Sequence, residues 1–255
     1  MDDARLDVEV SAPVATIVIN NPARRNAMTV AMWTALPGIL DRLATDPAVK
    51  VVILTGAGGT FCAGADINDA AAIGREGEGS VAVLAEDALA AFPKPTIARI
   101  EGFCVGGGCQ LAVACDLRYA ATGSRFGITP AKLGIVYPAV TIRRLVELVG
   151  PSAAKHLLFT GELIGVERAL RVGLIDEELP AVDLAEGVLV AARTIAARSQ
   201  LSVAAAKDMV GMAARGELDS VRVEYWRRQA AESTDLAEGI AAFRERRDPT
   251  FTWPA

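Results

Sequence analysis

Residues 6–10 (Leu-Asp-Val-Glu-Val) alternate strictly between apolar and polar, and residues 15–19 form a run rich in β-branched side chains. Ser11, Ala12 and Pro13 separate them, so the period of two predicts an opening hairpin. Asn20-Asn21-Pro22 ends the second strand, and a helix is expected over about 29–44, where Met32, Leu36, Ile39, Leu40 and Leu43 recur at helical spacing. Residues 51–54 are wholly apolar, a short buried strand running into Thr55-Gly56-Ala57-Gly58-Gly59.

Asp66 opens a polar and Ala-rich segment, after which a helix is predicted near 80–91. A strand over 96–100, a Gly-rich loop, a helix from Gly107 to Cys115 and a buried strand over 117–120 follow. Short strands alternating with helices imply crossover units and a sheet covered by helices, an α/β fold. Strand signals stop after 174–178, and 183–245 read as helices, among them 185–197, 203–214 and 218–231. The simplest division is an α/β core over 1–198 and a C-terminal helical region over 199–255. The Ala, Leu and Val residues of that tail need something to pack against, and homo-oligomerisation is one way to bury them.

Composition narrows the function. Of 255 residues 52% are apolar and 22% charged, which fits a folded core. The net charge of −5 is spread without runs of one sign, which argues against a nucleic-acid or membrane-surface binder. The N-terminus lacks a basic-then-apolar signal and no apolar stretch is long enough to span a bilayer, so a cytoplasmic protein is expected. Cys62, Cys104, Cys109 and Cys115 lie in apolar or Gly-rich surroundings, far in sequence from the lone His156. Zinc-ligand spacing is absent, and the cysteines read as reduced packing thiols.

Two loops carry candidate chemistry. One is Gly59-Thr60-Phe61-Cys62-Ala63-Gly64-Ala65-Asp66-Ile67, directly after a buried strand. The other is Glu101-Gly102-Phe103-Cys104-Val105-Gly106-Gly107-Gly108-Cys109-Gln110, between a strand and a helix. Small residues admit a ligand to the backbone, and a helix starting within 106–108 presents unpaired N–H groups and the positive end of its dipole. Two such loops side by side would converge two donors on one oxygen, as stabilisation of a developing oxyanion requires; one donor can be worth about 3 kcal/mol. A bare tight turn or a phosphate site are the alternatives, but neither a Walker Lys-Ser/Thr pair nor Gly-x-Gly-x-x-Gly is present.

The stretch from Ile97-Ala98-Arg99-Ile100-Glu101-Gly102 through Gly106-Gly107-Gly108 to Val113-Ala114-Cys115-Asp116-Leu117 resembles the signature of the enoyl-CoA hydratase/isomerase (crotonase) superfamily. Gly64-Ala65-Asp66 is similar to its first oxyanion loop, and Pro22 with Arg25-Asn26-Ala27 to its N-terminal coenzyme A segment. Phe126-Gly127, Leu133-Gly134, Thr160-Gly161, Gly173-Leu174-Ile175-Asp176 and a final helix around Glu238–Phe243 follow in the family's order. The resemblance implies a spiral core of crossed ββα turns with a C-terminal helical trimerisation region, assembled as a homotrimer or dimer of trimers. It implies an acyl-CoA substrate, no metal, and no cofactor beyond the substrate's own coenzyme A. By the same resemblance the oxyanion donors are the N–H groups of Ala65 and Gly107. Arg25, Ala27, Ala63, Gly64, Asp66, Ile67 and Lys132 line the coenzyme A channel, and Phe243 reaches a neighbouring subunit's ligand.

The chain departs from the family where hydration needs its carboxylates. The two glutamates of hydratases correspond to Gln110 and Pro130, and the carboxylate site of isomerases and dehalogenases to Pro138. An amide accepts no proton near neutral pH and proline offers no side-chain base. Gln110 is left to orient a water or a carboxylate. Tyr137, within Thr129-Pro130-Ala131-Lys132-Leu133-Gly134-Ile135-Val136-Tyr137, resembles the methylmalonyl-CoA decarboxylase branch, although that branch has a histidine where this chain has Ala65. Loss of CO₂ generates an enolate with no base, and a phenol can hold the departing carboxylate or deliver a proton. The readings carried forward are an enolate-stabilising acyl-CoA enzyme unlike a two-glutamate hydratase, a malonyl-type decarboxylase, and a non-catalytic acyl-CoA-binding protein. His156, Asp116, Trp226, Met209 and Met212 read as packing or structural residues.

Overall fold

The computed structural model describes residues 4–69 and 77–253. The Ala-rich segment after Asp66 runs through residues 70–76, which lie outside the described residues.

The alternating N-terminal residues form the expected hairpin, β1 (Arg5–Ser11) with β2 (Val14–Asn20), registered from Arg5 opposite Asn20 to Ser11 opposite Val14. β2 then pairs in parallel with β3 (Val51–Gly56), β3 with β4 (Thr96–Ile100), β4 with β6 (Leu117–Ala121), and β6 with β9 (Glu177–Leu179). This six-stranded sheet has β1 as its antiparallel edge. β3 is buried on both faces, which explains its unbroken apolar run. A second sheet orders β5 (Phe103–Val105), β7 (Arg125–Gly127) and β8 (Ile164–Gly165).

Helices cover the sheets. α1 (Val30–Thr45) starts where the Thr29 hydroxyl accepts the Met32 N–H at 3.3 Å, and it buries Met32, Trp33, Leu36, Ile39, Leu40 and Leu43 as the periodicity predicts. α2 (Val81–Ala90) is capped by Ser80, whose hydroxyl accepts the Val83 N–H. α3 (Gly107–Ala114) follows the Gly-rich loop, and the single turn α4 (Pro130–Leu133) precedes α5 (Ala139–Thr160), which is kinked at the non-helical Gly150. α6 (Val166–Arg171) and α7 (Ala181–Ala196) complete the covering layer; α7 lays Leu184, Val188, Ala192 and Ala196 against the sheet. α8 (Gln200–Ala214), α9 (Ser220–Glu232) and α10 (Asp235–Glu245) end the chain. Among the described residues no helix is long and apolar enough to cross a membrane.

The four cysteines are free and buried. Burial pushes the Cys62 and Cys115 thiols up to about 12, so they stay protonated and serve as packing groups. Asp116 also has the structural role expected of it. Its carboxylate accepts the Thr96 N–H at 2.7 Å and the Lys207 ammonium at 2.8 Å, tying β4 to α8.

Candidate active site

In a parallel sheet the loops leaving the strands' C-terminal ends converge on one rim, and both predicted loops do so, after β3 and after β4. They are fastened to each other. Cys62 N–H donates to Phe103 O at 2.9 Å, Val105 N–H donates to Cys62 O at 2.9 Å, and Phe61 N–H donates to Glu101 O at 2.7 Å. Asn26, fully buried, pins the first loop from the other side: its amide donates to Ala57 O at 2.7 Å and Thr60 O at 2.5 Å.

The two expected oxyanion donors are neighbours. Gly64 O and Asp66 N–H are both used by Met28, at 2.8 Å each, so the alternation of an extended segment turns the Ala65 N–H the other way. A methyl group built on Gly107 would lie 3.6 Å from the Ala65 nitrogen and 3.0 Å from Cζ2 of Trp33. Gly107 is the first residue of α3, whose initial N–H groups have no partner within the helix. Gly106 before it has φ 56° and ψ −126°, a conformation for which glycine is required. The arrangement can hold one anionic oxygen between two backbone amides at a helix N-terminus.

Ala63, Gly64, Ala65, Ile67, Gly107, Gln110 and Tyr137 all line one cavity of about 140 Å³, together with Trp33, Thr129, Pro130 and Pro138. Gln110 is buried, and its Nε2 has no hydrogen-bond partner among the described residues. The Tyr137 hydroxyl lies 3.8 Å from the point a methyl on Gly106 would occupy, over the second loop. Burial raises the phenol's pKa well above its ordinary value, and the neighbouring Cys109 and Glu86 act in the same direction, so it remains a hydrogen-bond donor.

Other expected site residues lie outside this cavity. Arg25 is exposed, stacks its guanidinium 5.1 Å from the centre of the Phe103 ring, and accepts the Ala63 N–H through its carbonyl. Ala27 is buried, and its carbonyl accepts the Asn21 amide at 2.8 Å. Asp66 is buried and paired with Arg24 at 2.6 Å, while its other oxygen accepts the Asn68 N–H. It caps the segment beyond the loop. Lys132 lays its stem over Gly161, and Phe243 stands 86% exposed on α10.

One residue the sequence reading passed over does line the cavity. Glu86 occupies the buried face of α2, only 4% exposed. Thr141 donates its hydroxyl to Glu86 Oε2 at 2.7 Å, and a nitrogen of Arg144 stands 3.8 Å from the same oxygen. The spacing Val83–Glu86–Leu89 puts a carboxylate on an apolar helical stripe, and that was the signal available to find it.

The comparisons agree with this geometry. Residues 9–253 match the enoyl-CoA hydratase/isomerase family model. The chain is 34% identical over 249 residues to a 2,3-dehydroadipyl-CoA hydratase of Escherichia coli (strain K12), covering 93% of this chain and 94% of that one. It is 33% identical over 252 residues to a crotonyl-CoA hydratase of Syntrophomonas wolfei, covering 96% of each. A solved enoyl-CoA hydratase/isomerase family member superimposes with a TM-score of 0.93 over 99% of both chains at 36% identity. With the fold, the paired loops and the family model in accord over nearly its whole length, the chain belongs to the enoyl-CoA hydratase/isomerase family.

Proposed function

We propose that this protein binds an acyl-CoA thioester with its carbonyl oxygen between the N–H groups of Ala65 and Gly107, and stabilises the enolate formed from it. The observation that carries the reading is the abutment of the two loops, with the Ala65 nitrogen 3.6 Å from where a Gly107 methyl would stand. Amides already oriented by the fold act on the charge that develops on the thioester oxygen, and they need no rearrangement to do so. The test is binding of hexanoyl-CoA by calorimetry, with mass spectrometry of enoyl-CoA and methylmalonyl-CoA incubations. Binding with turnover of any of these supports the reading, and binding without turnover reduces the protein to an acyl-CoA carrier.

Gly107→Ala is a sharper probe. Its methyl would press on Trp33 and stand beside the Ala65 nitrogen, in the space meant for the thioester oxygen. We expect kcat/KM to fall about 100-fold or more, the loss of one oxyanion donor. Unchanged kinetics would place the oxyanion elsewhere.

Decarboxylation of a malonyl-type thioester is the second reading, favoured by two donors at the cavity wall, the protonated Tyr137 phenol and the unpartnered Gln110 amide. Together they could receive a substrate carboxylate. Release of CO₂ from methylmalonyl-CoA, lost in Tyr137→Phe, would support it. The apolar residues exposed on α10, Leu236, Ile240 and Phe243, fit assembly into a trimer, which sedimentation would check.

A further inference from the structure

Proton chemistry on an acyl chain needs a group that both accepts and returns a proton, and the three positions where the family resemblance placed carboxylates hold Gln110, Pro130 and Pro138. The cavity nonetheless contains one. Among the described residues that line it, Glu86 is the only acid, and it shares the wall with Gly64, Ala65, Gly107, Gln110 and Tyr137. Asp66, the nearest acid in sequence to an oxyanion donor, is engaged by Arg24 and does not line the cavity.

We propose that Glu86 is the proton-transfer residue of this site and serves a reaction that a single carboxylate can complete, the shift of a proton along an unsaturated acyl chain. This rests on the acyl-CoA reading above. In a 3-enoyl thioester the carboxylate takes a proton from C2. The C–H electron pair becomes the C1–C2 double bond, and the carbonyl pair moves onto oxygen, held by the Ala65 and Gly107 amides. The oxygen pair then returns to form the carbonyl and the C1–C2 pair moves to C2–C3. The former C3–C4 pair takes the proton back from Glu86 at C4. The carboxylate is regenerated, the product is the 2-enoyl thioester, and no co-reactant is consumed. Hydration would in addition require a positioned water and a second group to activate it.

The surroundings of Glu86 suit both halves of this cycle. Burial raises its pKa from 4.5 to about 7, with the neighbouring Asp87 charge adding to the rise; the Thr141 hydroxyl and the Arg144 guanidinium, both on α5, partly offset it. The guanidinium is shared, since its other terminal nitrogen bonds Asp87. The remaining titratable neighbour, Tyr137, stays a neutral phenol. A carboxyl poised near neutrality gives up a proton about as readily as it takes one, which is what a shuttle requires.

The experiment follows 3-hexenoyl-CoA in D₂O by mass spectrometry and NMR, with hexanoyl-CoA binding measured alongside. The wild-type protein should produce 2-hexenoyl-CoA, with kcat/KM rising through one ionisation near pH 7. Glu86→Gln keeps a partner for Thr141, so it should bind hexanoyl-CoA within about threefold of wild type while turnover falls about 100-fold or more and the ionisation disappears. Glu86→Asp should retain a fraction of the rate. Turnover in Glu86→Gln within about tenfold of wild type would overturn the assignment. So would wild-type protein that binds hexanoyl-CoA and leaves 3-hexenoyl-CoA unchanged, and the acyl-CoA reading would then survive. Failure to bind hexanoyl-CoA at all would overturn both.

Discussion

Adding one methyl group at Gly108 should cost about 3 kcal/mol or more, and lower the midpoint of thermal unfolding by on the order of 10 °C. A Cβ there would lie 2.4 Å from Cys62 O, 2.7 Å from Cys62 Cβ and 2.8 Å from its sulfur. The first of these atoms is backbone, and it is the carbonyl that receives the Val105 N–H and holds the two site loops together. No rotamer relieves such a contact, so the loop or α3 must move, and every atom nearby is buried. The sign is informative because alanine in place of glycine inside a helix ordinarily stabilises, by up to about 1 kcal/mol. Gly38, on the exposed face of α1 with nothing nearer than an Arg42 nitrogen at 4.0 Å, is the control and should show that ordinary gain. Calorimetric scans of the two variants should therefore move in opposite directions. A Gly108→Ala protein as stable as wild type would mean that the loops do not approach as closely as described.

Glu86→Gln should change the pH dependence of stability while it abolishes turnover. Because burial favours the neutral carboxyl, the folded chain holds this proton more tightly than the unfolded chain, from an ordinary 4.5 up to about 7. The associated stability is complete below about pH 4.5 and is lost as pH rises through 7. At 1.36 kcal/mol per unit the loss amounts to about 3 kcal/mol by pH 8. The glutamine variant has no such proton to release. Denaturant titrations at several pH values should show the difference between variant and wild type shifting toward the variant by up to that amount between pH 4.5 and 8. Parallel curves would mean that water reaches the carboxyl freely. A gain in stability coupled to a loss of activity is the mark of a group retained for its chemistry.

Much of the fold was legible because its elements carry a period. The alternation in β1, the unbroken apolar run of β3 and the helical spacing in α1 each persist long enough to be read. β5, β7 and β8 are only two or three residues long, too short to show any period, so the second sheet was not foreseen. α5 was not predicted as an element, and Gly150-Pro151 interrupts its pattern. The structure has that break: Gly150, at φ 74° and ψ 164°, is not helical, and two helical segments meet there in a kink. The loops of the site announced themselves by their small residues. Glu86 could be read as buried from its place on the apolar stripe of α2, but that it lines the same cavity as the two loops depends on how α2 and α5 pack, which no local pattern encodes.

The proposed donors to a thioester oxygen belong to the main chain of two loops that share a rim and are fastened to each other by backbone hydrogen bonds. No side chain has to be preserved to keep them, provided that the residues remain small. In that reading anion stabilisation rests on the architecture, while the proton-handling group is a side chain that any helix lining the cavity can supply. A carboxylate absent from one wall of the cavity can then be replaced by one on another without rebuilding what binds the substrate.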